Sequence, residues 1–193
     1  MTTPSIARGS ALPATDAVAK KALRARLLAA RRALPAAEKA AADAIICARI
    51  LDWWQAHPVT SLGVYYPIRN EPDLLQAYNA LNAQGVHLSL PNILGPDQGL
   101  EFLSWKPGEA LIKDALGTSI PVDGKHTIPQ ALLIPCVGFN AGGFRLGYGG
   151  GFYDRTLAPV PRPLTIGIAY AAGQVDFIGA AHDIALDLMI TEG

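Results

Sequence analysis

Between Leu132 and Leu157 the chain reads Leu-Leu-Ile-Pro-Cys-Val-Gly-Phe-Asn-Ala-Gly-Gly-Phe-Arg-Leu-Gly-Tyr-Gly-Gly-Gly-Phe-Tyr-Asp-Arg-Thr-Leu. This is the pattern of a strand, a glycine-rich loop and a helix. Gly147, Gly149, Gly150 and Gly151 have no side chains, so successive backbone N–H groups can approach a polyphosphate and the backbone can take positive φ. A helix beginning near Gly151 would aim its positive end at the same anion. Arg145 adds a planar, permanently charged fork for phosphate oxygens. Asp154 offers a hard oxygen ligand to a magnesium ion bridging them. The competing reading is a mobile turn, which a bare Gly-Gly-Gly would suit equally well. The flanking Arg, Tyr and Asp favour the anion site. No Gly-Lys-Ser/Thr follows at P-loop spacing, and Phe152 stands where a dinucleotide fingerprint has its third glycine, so P-loop NTPases and NAD enzymes are poor candidates.

Such a loop needs elements to position it. Apolar residues Leu23, Leu27, Leu28 and Leu34 recur at helical spacing and predict a basic amphipathic helix over residues 17–34, with Asp16 as N-cap and Pro35 as stop. A second helix is expected over 36–54 with Ile45, Ile46, Ile50, Leu51 and Trp54 inward, and a third over 74–84, stopped by Gly85. Short apolar runs at 62–66, 86–90, 100–105, 131–134, 164–169 and 188–190 read as strands. Strands alternating with helices predict an α/β fold with a mainly parallel sheet, whose ligands gather beyond strand carboxyl ends. The loops at 67–73 and 135–154 are therefore where function is expected.

The 193 residues are half hydrophobic, enough for one sizeable core, so residues 17–193 are expected to form one domain behind a flexible tail at 1–16. Lys+Arg and Asp+Glu both total 16, which gives no charge-based attraction to nucleic acid or an anionic membrane. No apolar run is long enough for a transmembrane helix, and the tail has no secretory h-region. Cys47 and Cys136 lack a CxxC partner, which points to a reducing cytoplasmic setting rather than disulfides or structural zinc. The four histidines fit no metal spacing.

The segment Arg145-Leu-Gly-Tyr-Gly-Gly-Gly-Phe-Tyr-Asp154-Arg resembles the signature of the 5-formyltetrahydrofolate cyclo-ligases, also called methenyltetrahydrofolate synthetases. Lys20-Lys-Ala-Leu-Arg24, Tyr66-Pro-Ile-Arg-Asn-Glu71, Ile168-Ala-Tyr170 through Gln174, and His182-Asp183-Ile-Ala-Leu-Asp187-Leu-Met-Ile-Thr191 resemble further segments of that family in the same order. The resemblance implies a three-layer, mainly parallel sheet flanked by helices, of the NagB-RpiA-CoA-transferase-like type. It also implies an ATP- and magnesium-dependent conversion of 5-formyltetrahydrofolate to 5,10-methenyltetrahydrofolate, ADP and phosphate. In that mechanism ATP phosphorylates the formyl oxygen, N10 attacks the activated carbon, and phosphate leaves.

Carried over residue by residue, the resemblance gives Glu71, Arg145 and Asp154 catalytic roles. It assigns ATP binding to Lys20, Arg24, Arg145, Leu146, Gly147, Tyr148, Gly149, Gly150, Gly151, Phe152 and Tyr153. Substrate binding falls to Tyr66, Ile68, Glu71, Phe152 and Tyr153, and magnesium to Asp154 and Asp187. Glu71 would accept a hydrogen bond from the attacking amine, and Tyr65 and Trp105 are further candidates for the cleft. The remaining basic residues Lys21, Arg26, Arg31 and Arg32 are assigned to a solvated face. Gly150 stands where many relatives carry lysine, and Pro72 departs from the commoner pattern after the substrate-loop glutamate. The implied partners are ATP and folate polyglutamates, with no nucleic acid, no membrane and a monomeric state. Three other readings compete: a degenerate relative that only binds folate or nucleotide, a nucleic-acid module using the basic helix, and a sugar-phosphate isomerase or transferase of related architecture. Presence of Lys20, Arg24, Glu71, Arg145 and Asp154 together favours catalysis.

Overall fold

The computed structural model describes residues 17–114 and 117–193; the expected tail and the Asp16 cap lie outside these. Helices α1 (Ala17–Arg32), α2 (Ala36–Ala56) and α3 (Leu75–Ala83) fall where the periodicity places them, and α4 (Phe152–Leu157) follows the glycine loop. The strands are β1 (Ser61–Gly63), β2 (His87–Ile93), β3 (Leu100–Trp105), β4 (Leu111–Lys113), β5 (Ser119–Pro121), β6 (His126–Thr127), β7 (Ala131–Pro135), β8 (Gly138–Phe139), β9 (Arg145–Leu146), β10 (Leu164–Ile168) and β11 (Leu188–Ile190). Seven of them form one sheet in the order β11-β10-β7-β1-β2-β3-β6. The pairings from β11 through β2 are parallel, and β3 and β6 extend the sheet antiparallel.

The expected α/β architecture is present, with both sheet faces covered. Successive β7 residues point to opposite faces. Leu133 joins α2 residues Ile46, Ile50 and Trp53 and α3 residues Tyr78 and Leu81, whereas Leu132 and Ile134 pack with Phe102, Phe139, Leu157 and Leu186. The second covering layer consists of the six-residue α4 and irregular chain around Ile184 and Leu186. The inner face of α2 is built from Ile46, Cys47, Ile50 and Trp53; Ile45, expected inward, is exposed.

The first strand ends three residues before its apolar run does. Beyond Gly63, the Tyr65 backbone is served by the Tyr78 hydroxyl, which donates to its carbonyl at 3.0 Å and accepts from its N–H at 3.4 Å. A side chain thus replaces a strand partner and lets the chain turn out of the sheet toward Glu71. From β1 the chain proceeds to β2 and β3 on one side, while β7, β10 and β11 lie on the other. The sheet therefore has its topological switch point between β1 and β7, where α/β proteins open a crevice.

Gly63 is needed there for close packing: a Cβ would meet Leu132 Cδ2 and, at 2.8 Å, Phe102 Cε1. Gly63→Ala should destabilise the fold by about 1–3 kcal/mol through overpacking, read as a lower urea midpoint with unchanged m. An unchanged midpoint would show that the Leu132 and Phe102 side chains yield without cost.

Candidate functional site

The loops that follow β1 and β7 face each other across the switch point and enclose a cavity of about 430 Å³. It is lined by Lys20 and Arg24 from α1, Tyr65, Tyr66, Ile68, Arg69 and Glu71 from the first loop, Pro91 and Ile93 from β2, and Arg145 to Asp154 from the second. The crevice position expected for a mainly parallel sheet is thus occupied by the residues singled out in the sequence.

Residues 68–71 form a tight turn. Arg69 and Asn70 have φ of 50° and 57°, and the Glu71 N–H donates to the Ile68 carbonyl at 2.9 Å. Two successive non-glycine residues in the left-handed region are strained, and such strain persists only where surroundings over-determine it. Here the Glu71 side chain closes the turn a second time, Oε2 accepting from the Ile68 N–H at 2.8 Å. Pro72 does not disturb the loop, since its carbonyl accepts from the buried Tyr65 hydroxyl at 2.9 Å.

Glu71 is only 2 % exposed. Burial pushes its carboxyl above the ordinary carboxylate range, opposed by hydrogen bonds from the Ile68 N–H and the Tyr148 hydroxyl and by the charges of Arg31 and Arg69. The Tyr148 hydroxyl donates to Oε1 at 2.7 Å. Tyr148 in turn accepts from Arg31 at 3.3 Å, and Arg31 also donates to the Cys136 carbonyl at 2.5 Å. Arg31 is 5 % exposed, so its assignment to a solvated face is corrected. The helical pattern contains the signal: Arg31 lies four residues after Leu27, on the buried stripe of α1.

The glycine loop is shaped from both sides. Gly149 and Gly151 take φ of 98° and 66°, and Gly151 caps α4 in the left-handed conformation. The Arg24 Nε donates to the Gly147 carbonyl at 2.7 Å, tying α1 to the loop. Lys20 pairs with Asp183 at 2.8 Å. Burial would raise the Asp183 carboxyl, but hydrogen bonds from Lys20 and the Ala180 N–H outweigh it and hold it below its usual range. Asp183 and His182, unassigned from the sequence, also line the cavity; the Lys20 pairing identifies Asp183 only once the fold is formed.

Arg145 is not a fork with its donors free. One nitrogen pairs with Asp154 Oδ1 at 2.7 Å, another donates to the Ile184 carbonyl at 3.0 Å, and Asp154 Oδ1 also accepts from the Ile184 N–H at 3.1 Å. Among the described residues, Asp154 Oδ2 has no hydrogen-bonding partner. Phe152 and Tyr153 line the cavity as expected, as do the half-exposed Tyr66 and Ile68. Trp105 does not; it is buried edge-on against Tyr66 and Tyr78.

Asp187 is not brought to this cavity, and its expected grouping with Asp154 is absent. Its carboxylate receives Arg162 at 2.7 and 3.0 Å and the Thr165 N–H and hydroxyl at 2.8 and 2.7 Å. Among the described residues no three His, Cys, Asp or Glu side chains form a metal cluster. Burial would raise the Asp187 carboxyl, but the Arg162 and Thr165 hydrogen bonds prevail and hold it below its ordinary value.

A mainly parallel sheet with an anion-shaped glycine loop and a buried carboxylate at its switch point defines an α/β enzyme. The 5-formyltetrahydrofolate cyclo-ligase family model matches residues 16–192, and the chain belongs to that family. It is 28% identical over 180 residues to a 5-formyltetrahydrofolate cyclo-ligase of Mycoplasma pneumoniae, covering 90% of this chain and 98% of that one. A solved 5,10-methenyltetrahydrofolate synthetase from the same organism superposes with a TM-score of 0.77 at 26% identity, over 90% of this chain and 99% of the other. The Aquifex aeolicus 5,10-methenyltetrahydrofolate synthetase gives the same TM-score, 0.77, at 26% identity, over 90% of this chain and 89% of the other.

Because its folded pKa is depressed, Asp187 contributes stability above its unfolded pKa of about 4 and loses it as pH falls through the folded value. Asp187→Asn should therefore lower the thermal midpoint at pH 7, and the gap from the unsubstituted protein should narrow on acidification below about pH 4. A gap independent of pH would show that the Arg162 pair does not set it.

Proposed function

We propose that the chain is an ATP- and magnesium-dependent ligase converting 5-formyltetrahydrofolate to 5,10-methenyltetrahydrofolate, ADP and phosphate. The supporting observation is the buried Glu71 carboxylate in the same cavity as the glycine loop, with Lys20 and Arg24 at its rim. A formyl-amide oxygen is a poor leaving group. Transfer of the γ-phosphoryl group to it, with ADP departing, makes the formyl carbon electrophilic. N10 then forms the new C–N bond and gives up its proton, and the C–O bond breaks to release phosphate. The substrate supplies its own nucleophile, so the protein's tasks are positioning and charge neutralisation.

Glu71 is the acceptor for the N10 proton, because it is the carboxylate removed from water and held on a rigid turn. Arg24 and the loop N–H groups receive the polyphosphate; Lys20 joins them by exchanging Asp183 for a phosphate oxygen. Arg145 holds Asp154 in place by pairing with Oδ1. The donor set suits magnesium, which takes one or two carboxylates with phosphate and water oxygens. Asp154 would hold it through Oδ2, and the ion would neutralise phosphate charge. Phe152, Tyr153, Tyr66 and Ile68 offer flat and apolar walls for a pterin. Among the described residues no helix is long and apolar enough to cross a membrane, and we place the enzyme in the cytosol as a monomer.

The purified protein with 5-formyltetrahydrofolate, magnesium and ATP should generate the near-ultraviolet absorbance of the methenyl product. No ATP-dependent signal would leave only the folate- or nucleotide-binding reading. Asp154→Asn, which keeps the side-chain shape, should lower kcat on the order of a hundredfold and weaken magnesium-nucleotide binding. Unchanged kinetics in that variant would remove Asp154 from the mechanism.

A further inference from the structure

Tyr148 belongs to the glycine loop and was expected to contact the nucleotide. Its hydroxyl instead lies between two groups of opposite charge: Arg31 donates to it at 3.3 Å, and it donates to Glu71 Oε1 at 2.7 Å. The direction of this chain is fixed by chemistry. A guanidinium has donors and no acceptor, so the only way to satisfy both contacts is for the phenolic proton to point at Glu71. Burial and the Glu71 charge push the Tyr148 phenol well above its ordinary range, so it keeps that proton at neutral pH. Arg31 is anchored independently by its bond to the Cys136 carbonyl, just beyond β7. The relay therefore links α1, the segment after β7, the glycine loop and the turn after β1 at one carboxylate.

The geometry points to Arg31 and Tyr148 as positioning residues that hold the Glu71 carboxylate charged and aimed into the cavity, Tyr148 serving the acid rather than the nucleotide. This inference rests on Glu71 acting as the proton acceptor proposed above. Other groups act on Glu71, and none replaces the relay. Arg69 stacks over the Tyr148 ring at 5.0 Å and contributes only its charge. Tyr65, Tyr78, Tyr153 and Cys136 are themselves pushed up by burial, Cys136 to about 12, and stay neutral. The Ile68 N–H serves the other oxygen, Oε2. Tyr148 is thus the one described side chain that hydrogen-bonds Oε1, and Oε1 retains a second lone pair for a substrate N–H.

Tyr148→Phe removes the hydroxyl and keeps the ring that Arg69 covers, so it isolates the relay. Donors to a carboxylate favour its charged form, and losing one raises its pKa. The acid limb of kcat should move to higher pH, with kcat falling about tenfold on that limb, only a few-fold on the alkaline plateau, and the KM for ATP unchanged. Arg31→Lys cannot fork to both Cys136 and Tyr148 and should move the same limb in the same direction by less. In a Glu71→Gln background the added Tyr148→Phe should change nothing further. An acid limb unmoved in both variants, or a raised KM for ATP with an unmoved limb, overturns the relay and returns Tyr148 to the nucleotide site. The unsubstituted protein run alongside separates the two proposals: methenyl formation with an unmoved limb refutes the relay alone, whereas no methenyl formation refutes the cyclo-ligase reading itself.

Discussion

A carboxylate taken out of water must be met by donors or lose its charge, and the arrangement around Glu71 follows from that requirement. The donors come from three parts of the chain: the Ile68 N–H of its own turn, the Tyr148 hydroxyl of the glycine loop, and behind it Arg31 of α1. Each is itself constrained. The turn needs left-handed Arg69 and Asn70, Tyr148 is followed by Gly149 at positive φ, and Arg31 is anchored by the Cys136 carbonyl. Strain at residues 69 and 70 is thus compensated by hydrogen bonds that also oppose the upward push of burial on the Glu71 carboxyl. Structure and chemistry share one set of contacts, as expected where strain is held at a functional site.

The rim obeys a related constraint. Four cationic residues line the cavity, Lys20, Arg24, Arg69 and Arg145, against the carboxylates of Glu71, Asp154 and Asp183. Among the described residues, Lys20 and Arg145 are each paired with a carboxylate, whereas Arg24 and Arg69 are not. Two of the pairings converge on one segment, Asp183 holding Lys20 while the Ile184 backbone holds both Arg145 and Asp154. The cavity is therefore already shaped and close to electrical balance.

Much of this was legible in the sequence where local rules decide. The bounds of β3 and β11 match the apolar runs at 100–105 and 188–190, and Asp154, Glu71, Lys20 and Arg24 all reach the cavity their motifs suggested. The losses are non-local. The apolar run overreaches the first strand by three residues at its Val-Tyr-Tyr end, because the Tyr78 hydroxyl, thirteen residues beyond Tyr65, replaces a strand partner. The β8–β9 hairpin inside the expected loop is built on the Asn140 to Gly143 turn, where Asn140 accepts from Gly142 and Phe144. Asparagine followed by paired glycines was the available signal. The family resemblance gives Asp187 to magnesium, yet its neighbour across the sheet supplies Arg162 and Thr165, which hydrogen-bond its carboxylate. Arg31 was hidden by its own helix, since a basic run reads as solvated unless its place on the apolar stripe is weighed.

The three consecutive glycines are required for different reasons. Gly149 and Gly151 need positive φ, whereas at Gly150 a Cβ would meet the Phe152 ring at 2.6 Å. Phe152 is pinned from outside by Arg155, whose guanidinium lies 5.2 Å from the ring centre and donates to the Gly150 carbonyl at 2.6 Å. At Gly150 this chain fills the space beside the loop with an aromatic ring and fixes the backbone with an arginine. A side chain at position 150 would displace both. Arg24 of α1 is tied to the Gly147 carbonyl on the same loop, so the first helix is part of the site rather than an appendage to the sheet.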